Sequence, residues 1–263
     1  MQLDQANQAN QANVHPQAEQ DRLTFAGSIF WRNNSYFYRR LQDGSCPQEF
    51  SRLLARDKND HPESDHLCRY SDILGHDAKL ALRVLAWSYV SRPISVGVFA
   101  PNGHLVSIAY ATLISFEDGR LAKKLASHTS RRTGTQRTAV NLSYAVSAQY
   151  EGQGLAFVAS CLVIKLAAQQ WPTLDHHHDI NIQTKASNAP SLALAARLGA
   201  LPCPEADFSI SHPDESVHRY TGFRSPWPDM VATADSSLTK FLVLADCEFE
   251  DTDYSNDSPS PSL

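Results

Sequence analysis

The pattern of apolar and polar residues is clearest between residues 138 and 170, where its period changes once. Apolar residues first alternate with small or polar ones, which is the period of a β-strand: Val140, Leu142, Tyr144 and Val146. After Gly152 and Gly154 the apolar residues recur at helical spacing: Leu155, Val158, Leu162 and Leu166. The segment therefore predicts a strand, a glycine-rich turn and a long helix.

The glycine-rich turn carries candidate binding chemistry. A turn that opens a helix leaves backbone N–H groups without intrahelical acceptors and directs them to one side. The helix dipole adds partial positive charge at the same point. Gly152 and Gly154 therefore predict an anion site, for which phosphate is the usual ligand.

Weaker patterns predict the other elements along the chain. Strands are predicted over residues 23–31, 94–100, 104–114, 179–185 and 239–249. Helices are predicted over residues 47–57, 77–90 and 188–199. Asn102-Gly103, between two of the strands, is a strong signal for a tight hairpin. Asn188 and Gly199 suit the two ends of the helix that they bound.

Composition indicates one domain with two extensions. The chain has 263 residues, of which 42% are hydrophobic, which is enough for one sizeable core. Residues 1–20 contain tandem Gln-Ala-Asn triplets, and residues 250–263 are acidic and rich in Ser and Pro. Both compositions predict disorder. We therefore predict a low-complexity leader (1–20), a single domain (21–249) and an acidic tail (250–263), while residues 201–238 give no clear pattern.

Charge and cysteine usage limit the class of protein. A net charge of −5 and a pI near 6.1 argue against a dedicated nucleic-acid binder, which carries a basic excess. Five cysteines without a C-x-x-C pair predict reduced thiols and a cytoplasmic location. No apolar run reaches the ~20 residues of a membrane span. The N-terminus does not resemble a secretory signal, and a secreted effector is a minor alternative that rests on the leader alone.

Two polar segments have both a functional and a structural interpretation. Residues 116–137 are basic, which fits a lip for an acidic or nucleic-acid acceptor or a solvated loop, and the solvated loop is favoured. Residues 175–179 include three consecutive histidines, a pattern associated with metal. Consecutive loop residues are not expected to face one ion, and no spaced Cys or Glu completes a ligand set. We therefore predict a surface loop without metal.

Residues 146–156 resemble the acetyl-coenzyme A motif of the GNAT N-acetyltransferases, written Arg/Gln-x-x-Gly-x-Gly/Ala. Gly154 and Ala156 occupy two of its fixed positions. Glu151 stands where the family has Arg or Gln, which puts the affinity for the coenzyme in question.

Residues 186–200 resemble the second GNAT motif. Four residues match it: Asn188, Ser191, Leu194 and Gly199. Ala195 and Ala200 stand where the family has Tyr and an aromatic residue. The resemblance covers about residues 94–200 and is faint on either side.

The resemblance implies an α/β fold (mixed α+β), with a GNAT-type central mixed sheet of about six or seven strands flanked by helices. It implies acetyl-coenzyme A as co-substrate, with its pyrophosphate on backbone N–H groups of the loop: Gly152, Gln153, Gly154, Leu155 and Ala156. It also implies that the strand edge from Tyr144 to Val146 pairs with the pantetheine amides. Asn188 and Ser191 would contact the pantetheine arm from the other side.

The residues that handle protons are less well specified. Many relatives use a Glu on the central strand and a Tyr on the last helix, and this chain has neither. Tyr144 and Ser191 are the candidate catalytic residues, although Tyr144 also fits a core position. Further candidates are Glu117, His104 and His128. A site without a strong base suits an α-amine, with a pKa of about 8, better than a lysine near ~10.4.

Two hypotheses of function follow. The first is an N-acetyltransferase that transfers an acetyl group from acetyl-coenzyme A directly to an amine, in a small molecule or a protein. The second is a catalytically inactive acyl-coenzyme A-binding sensor or scaffold, which Glu151 and Ala195 favour. Neither a membrane nor a metal is expected, and the acidic balance disfavours nucleic acid. The oligomeric state stays open, with a homodimer among the alternatives.

Overall fold

A computed structural model describes residues 25–41, 94–114, 139–211 and 217–240. In chain order the strands are β1 (Ala26–Trp31), β2 (Asn34–Leu41), β3 (Ile94–Phe99), β4 (Leu105–Ile114), β5 (Ala139–Val146), β6 (Asp179–Lys185), β7 (Leu201–Pro202), β8 (Phe208–Ser211) and β9 (Val217–Pro226). The helices are α1 (Leu155–Gln170), α2 (Ala189–Arg197) and α3 (Trp227–Leu238).

The strands form one nine-stranded mixed sheet in the order β1-β2-β3-β4-β5-β6-β9-β7, with β8 paired to β9. All neighbours are antiparallel except β5 and β6, which are parallel. The predicted mixed α+β fold is confirmed. The sheet has more strands than the six or seven that the resemblance implies, and three of its strands, β2, β7 and β8, are not predicted from the sequence pattern.

Strands β1 and β2 form a hairpin in which Trp31 pairs with Asn34. Between them Arg32 and Asn33 both have positive φ, 47° and 65°, as a two-residue type I′ turn requires. The strand predicted over residues 23–31 is confirmed as β1 over Ala26–Trp31, and residues 23 and 24 lie outside the described part. Strand β2 is not predicted, because consecutive aromatic residues at 36–38 hide its alternation.

The hairpin predicted at Asn102-Gly103 is confirmed between β3 and β4. Gly103 has φ of 77°, and its N–H donates to the Ala100 carbonyl oxygen at 2.9 Å. Asn102 Oδ1 accepts from the His104 N–H at 3.1 Å. A glycine in the left-handed region closes a turn of this kind without steric cost.

Strand β5 has different neighbours along its two edges. It pairs with β4 over its whole length. With β6 it pairs only over the first half, from Ala139 with Asp179 to Leu142 with Ile182. Strand β6 continues to Lys185 against β9. The two parallel strands therefore separate beyond Leu142 and Ile182 and leave an opening in the sheet.

Helix α1 packs on β3, β4 and β5 and against α3. Its buried residues surround most of the helix, so it is more deeply buried than its predicted apolar stripe indicates. Cys161 is fully buried and free, as expected of a small core residue. Burial raises the pKa of the Cys161 thiol to about 12, because a charged thiolate is disfavoured in the core.

Residues 201–238, which the sequence pattern leaves unassigned, contain β7, β8, β9 and α3. Gly222 of β9 lies against the 3₁₀ turn Pro204–Ala206, and a Cβ at Gly222 would lie 2.5 Å from the Ala206 Cβ. The Gly222 N–H donates to Asp207 Oδ1 at 2.8 Å. The glycine allows this close approach.

Several predictions concern residues outside the described part. These are the helices over residues 47–57 and 77–90, the leader and the tail. Thr239 and Lys240 form a turn after α3, so the predicted last strand does not begin at Thr239. Residues 241–249 are also outside. Among the described helices, none is both long and apolar enough to cross a membrane.

Candidate active site

The opening between β5 and β6 faces backbone groups of β5. In an antiparallel pair, backbone groups point to the partner strand at alternate residues. The Ser147 N–H donates to the Val106 carbonyl oxygen at 2.8 Å, and Val146 pairs with Ser107. By this alternation, the N–H and C=O groups of Tyr144 and Val146 point away from β4. They point to the side on which β6 has separated.

Helix α2 begins beside this opening. Asn188 caps it as predicted, because its Oδ1 accepts from the Ser191 N–H at 3.3 Å. The Tyr144 hydroxyl donates to the Ser191 carbonyl oxygen at 3.2 Å and joins β5 to the first turn of α2. The structure therefore brings Tyr144, Asn188 and Ser191 together. The Asn188 Nδ2 group has no acceptor among the described residues.

The glycine loop lies at the N-terminus of α1. Gly152 and Gly154 have φ of 69° and 84°, a region that L-residues rarely adopt. Gly154 is the N-cap, and its carbonyl oxygen accepts the first two helical hydrogen bonds at 3.1 and 3.2 Å. The N–H groups of Leu155 and Ala156 precede these bonds and have no intrahelical acceptor. The loop therefore has the donors of an anion site.

The β1–β2 hairpin holds this loop, a contact that no local sequence pattern indicates. The Trp31 indole N–H donates to the Gln153 carbonyl oxygen, across 122 positions of the chain. Arg32 Nη1 donates to the Gly152 carbonyl oxygen at 3.1 Å. The Tyr36 hydroxyl donates to Gln153 Oε1 at 3.2 Å. The only local signal is the aromatic content of the hairpin.

Gln153 is consequently used inside the protein. Its N–H donates to the Tyr150 carbonyl oxygen at 3.4 Å, and its Nε2 donates to the Gln149 carbonyl oxygen at 3.3 Å. These bonds stabilise the loop. The coenzyme contacts that the resemblance implies stay a prediction for all five loop residues: Gly152, Gln153, Gly154, Leu155 and Ala156.

The chain is similar to solved structures at low sequence identity. An uncharacterized protein from Bacillus halodurans is 10% identical, over 82% of this chain and 97% of its own, with a TM-score of 0.51. NAA60 from Arabidopsis thaliana, in complex with acetyl-CoA, is 14% identical, over 73% and 98%, with a TM-score of 0.48. RimJ from Mycobacterium smegmatis, in complex with CoA-disulfide, is 13% identical, over 82% and 95%, with a TM-score of 0.46. No family model and no curated protein matches the chain.

The topology decides the fold family. Antiparallel strands lead to a parallel pair that separates, a glycine loop opens the helix between the two strands, and a second helix follows. The fold is the GNAT fold. Sequence identities of 10–14% carry no argument about activity, so the chemistry must be argued from the residues of this chain.

Tyr144 lies at the opening, and its hydroxyl proton is engaged by the Ser191 carbonyl oxygen. Burial raises the pKa of Tyr144 to about 12, although the Ser191 side chain opposes this shift. A general acid works best with a pKa near the operating pH. Tyr144 is therefore poorly suited to protonate a leaving thiolate and better suited to hold β5 against α2. The Ser191 hydroxyl stays a candidate.

The described residues do not bring another proton-handling candidate into contact with Tyr144, Asn188 or Ser191. The separated halves of β5 and β6, residues 143–146 and 183–185, contain no Asp or Glu. His104 is exposed in the β3–β4 turn. Glu117 and His128 lie outside the described residues. The GNAT strands described here therefore carry no carboxylate that could act as a base at the opening.

The histidine run lies at the opposite end of β6. The donor atoms of Asp175, His176 and His177 all lie within 4.8 Å of one another, and all three residues are exposed. The expectation that consecutive residues cannot face one point is wrong here. A turn bends them together, and Asp175 Oδ1 accepts from the His177 N–H at 2.8 Å. Exposed donors of this kind do not form the closed tetrahedral set of a structural zinc site, and the absence of a metal stays a prediction.

Proposed function

We propose that the protein is an N-acetyltransferase that transfers the acetyl group of acetyl-coenzyme A to an amine. The observation that carries this proposal is the separation of β5 from β6 beyond Leu142 and Ile182, between the glycine loop and α2. An extended chain of amide groups fits such an edge as an added strand. The pantetheine arm has this form, and the diphosphate of coenzyme A suits the glycine loop.

Each residue at the opening has a separate proposed role in acetyl transfer. Acetyl-coenzyme A, when bound, supplies an activated acyl group. The backbone of Tyr144 and Val146 would hold the arm extended, and Asn188 Nδ2, which has no acceptor among the described residues, would bond it from the side of α2. The amine nitrogen attacks the thioester carbonyl carbon, the C–N bond forms, and the C–S bond breaks with its electron pair on sulfur. Residues 143–146 and 183–185, which border the opening, contain no Asp or Glu, and we propose that the proton of the amine passes to water.

The lack of an Asp or Glu among the described residues that border the opening also limits the class of amine that could act as acceptor. An amine must be unprotonated before it can attack. An α-amine with a pKa of about 8 is partly neutral near pH 7.5, whereas a lysine side chain near ~10.4 is almost fully charged. We therefore propose an α-amine acceptor, in a small molecule or at a peptide N-terminus.

A second candidate is an acyl-coenzyme A-binding sensor without catalysis. Ala195, where the family has Tyr, is fully buried in the core. The Tyr144 hydroxyl is engaged by the Ser191 carbonyl oxygen. Neither position can therefore supply an acidic tyrosine to the leaving thiolate, which favours binding without turnover.

Release of the free thiol of coenzyme A distinguishes the transferase from the sensor. The purified protein is incubated with acetyl-coenzyme A and a panel of α-amines and lysine side-chain amines, and binding is measured in parallel by calorimetry. Turnover with an α-amine supports the transferase. Binding without turnover on any acceptor supports the sensor, and the absence of binding refutes both.

A matched pair of variants tests whether the glycine loop holds the diphosphate. Gly152 and Gly103 have φ of 69° and 77°, and a Cβ at either would meet no atom within 4 Å. Asp tolerates this conformation better than most residues. Gly152→Asp adds a negative charge to the loop and should weaken binding by about tenfold or more. Gly103→Asp should leave binding unchanged, and equal affinities would place the diphosphate elsewhere.

A further inference from the structure

We propose that Arg197 is the side chain that binds the diphosphate of coenzyme A, in place of the Arg or Gln that this chain lacks at Glu151. The inference rests on the proposed function and names a further residue of the same site. Arg197 is exposed and is the last residue of α2. It therefore lies at the end of the helix opposite to Asn188, the residue placed beside the pantetheine arm.

Arg197 reaches the N-terminus of α1. Its guanidinium carbon lies 3.9 Å from the centre of the Phe157 ring and 5.9 Å from that of the Trp31 ring. Its Nη1 lies 3.6 Å from the position that a Cβ at Gly154 would take. The guanidinium is therefore beside the N-cap of α1, where the N–H groups of the glycine loop emerge.

The aromatic contacts hold the guanidinium in place. A planar guanidinium stacks on aromatic faces, and stacking restricts a long side chain before it meets a ligand. Trp31 also contacts Arg32, whose guanidinium carbon lies 5.9 Å from the ring centre and whose Nη1 bonds the Gly152 carbonyl oxygen. Two arginines from distant parts of the chain thus meet at one loop.

The charges around Arg197 and the N-terminus of α1 favour a bound anion. The N-terminus of a helix carries partial positive charge, so a neighbouring cation is unfavourable there. Within the described residues, no carboxylate forms an ion pair with Arg197 that would offset this cost. The last turn of α2 favours a basic residue, but it does not account for the reach of Arg197 to α1. A diphosphate between the guanidinium and the loop N–H groups would make both interactions attractive.

Three ligands that differ in their phosphates test the assignment. Calorimetry measures coenzyme A, 3′-dephospho-coenzyme A, which keeps the diphosphate, and pantetheine, which has no phosphate. Arg197→Gln should weaken the first two equally, by about tenfold or more, and leave pantetheine unchanged. Arg197→Lys should recover part of the loss. The control is Arg39→Gln, because Arg39 is also an exposed arginine stacked on a phenylalanine, 4.9 Å from the Phe99 ring centre.

Each other outcome contradicts the assignment in a distinct way. Equal binding of coenzyme A by Arg197→Gln and the wild type would overturn it while leaving the proposed function intact. A loss confined to coenzyme A would assign Arg197 to the 3′-phosphate instead. An equal loss of affinity in Arg39→Gln would mean that the effect comes from the general positive charge of the surface and not from a contact of Arg197. Failure of the wild-type protein to bind coenzyme A at all would refute the proposed function and, with it, this role.

Discussion

Tyr144 connects strand β5 to helix α2 through one hydrogen bond to the Ser191 carbonyl oxygen. The alternation of apolar residues suffices to place Tyr144 on its strand. It does not reveal the partner, which is 47 positions away and offers a backbone atom that every residue has. The role of Tyr144 therefore depends on a contact that only the folded chain shows.

Tyr144→Phe tests whether this hydroxyl transfers a proton. The substitution keeps the ring and removes the hydroxyl. General acid catalysis contributes about 10²–10⁴-fold to a rate. Because the pKa of Tyr144 is raised to about 12, we expect kcat to fall by less than about tenfold. Steady-state kinetics with an α-amine acceptor measure this, and a loss of about a hundredfold or more would identify Tyr144 as the catalytic acid.

The same substitution should change how stability depends on pH. The pKa of Tyr144 rises from 10.0 to about 12 on folding, through burial. The stability that this group contributes is present below pH 10 and is lost up to about pH 12, because the unfolded chain ionises first. The loss is roughly 2–3 kcal/mol. The unfolding free energy of the wild type relative to Tyr144→Phe, from urea titrations, should fall by this amount across that range, and a constant difference would contradict the burial of Tyr144.

At the scale of elements, periodicity and caps predict the segments that form the site. Strand β6 and helix α1 have the predicted bounds, and β5 and α2 differ from prediction by a residue or two at their ends. Helix α3 is not predicted from the sequence because of its prolines. Pro226 is its N-cap, and Pro228 lies in its first turn. Proline is allowed at these positions but is equally typical of a loop.

Gly222→Ala tests the packing of β9 against the 3₁₀ turn Pro204–Ala206. A Cβ at Gly222 would lie 2.5 Å from the Ala206 Cβ and 3.1 Å from the Ala206 carbonyl. Because backbone atoms are involved, side-chain movement alone cannot relieve the clash. We expect a loss of about 1–3 kcal/mol in the unfolding free energy, measured by urea denaturation. An unchanged unfolding free energy in Gly222→Ala would argue against the close approach.

At the scale of the molecule, the site is assembled from segments with very different sequence signals. The glycine loop and the N-terminus of α2 follow from motifs that can be read locally. The hairpin residues Trp31 and Arg32 do not, because their bonds to the loop span more than a hundred positions. The resemblance begins near residue 94 and therefore misses them. Arg197 lies within a recognised motif but at a position to which that motif assigns no role.

The separation of β5 from β6 also bears on aggregation. Beyond Leu142 and Ile182 the backbone of β5 is not paired with β6, and unpaired strand segments recruit further chains. Pantetheine bound along this edge would cover it, with or without the nucleotide. We expect light scattering of concentrated protein to rise more slowly with saturating coenzyme A or pantetheine than with adenosine 3′,5′-bisphosphate. If light scattering rises at the same rate with all three ligands, the edge is already protected without a ligand. If it rises more slowly with coenzyme A or pantetheine, binding of the coenzyme also protects the sheet against aggregation.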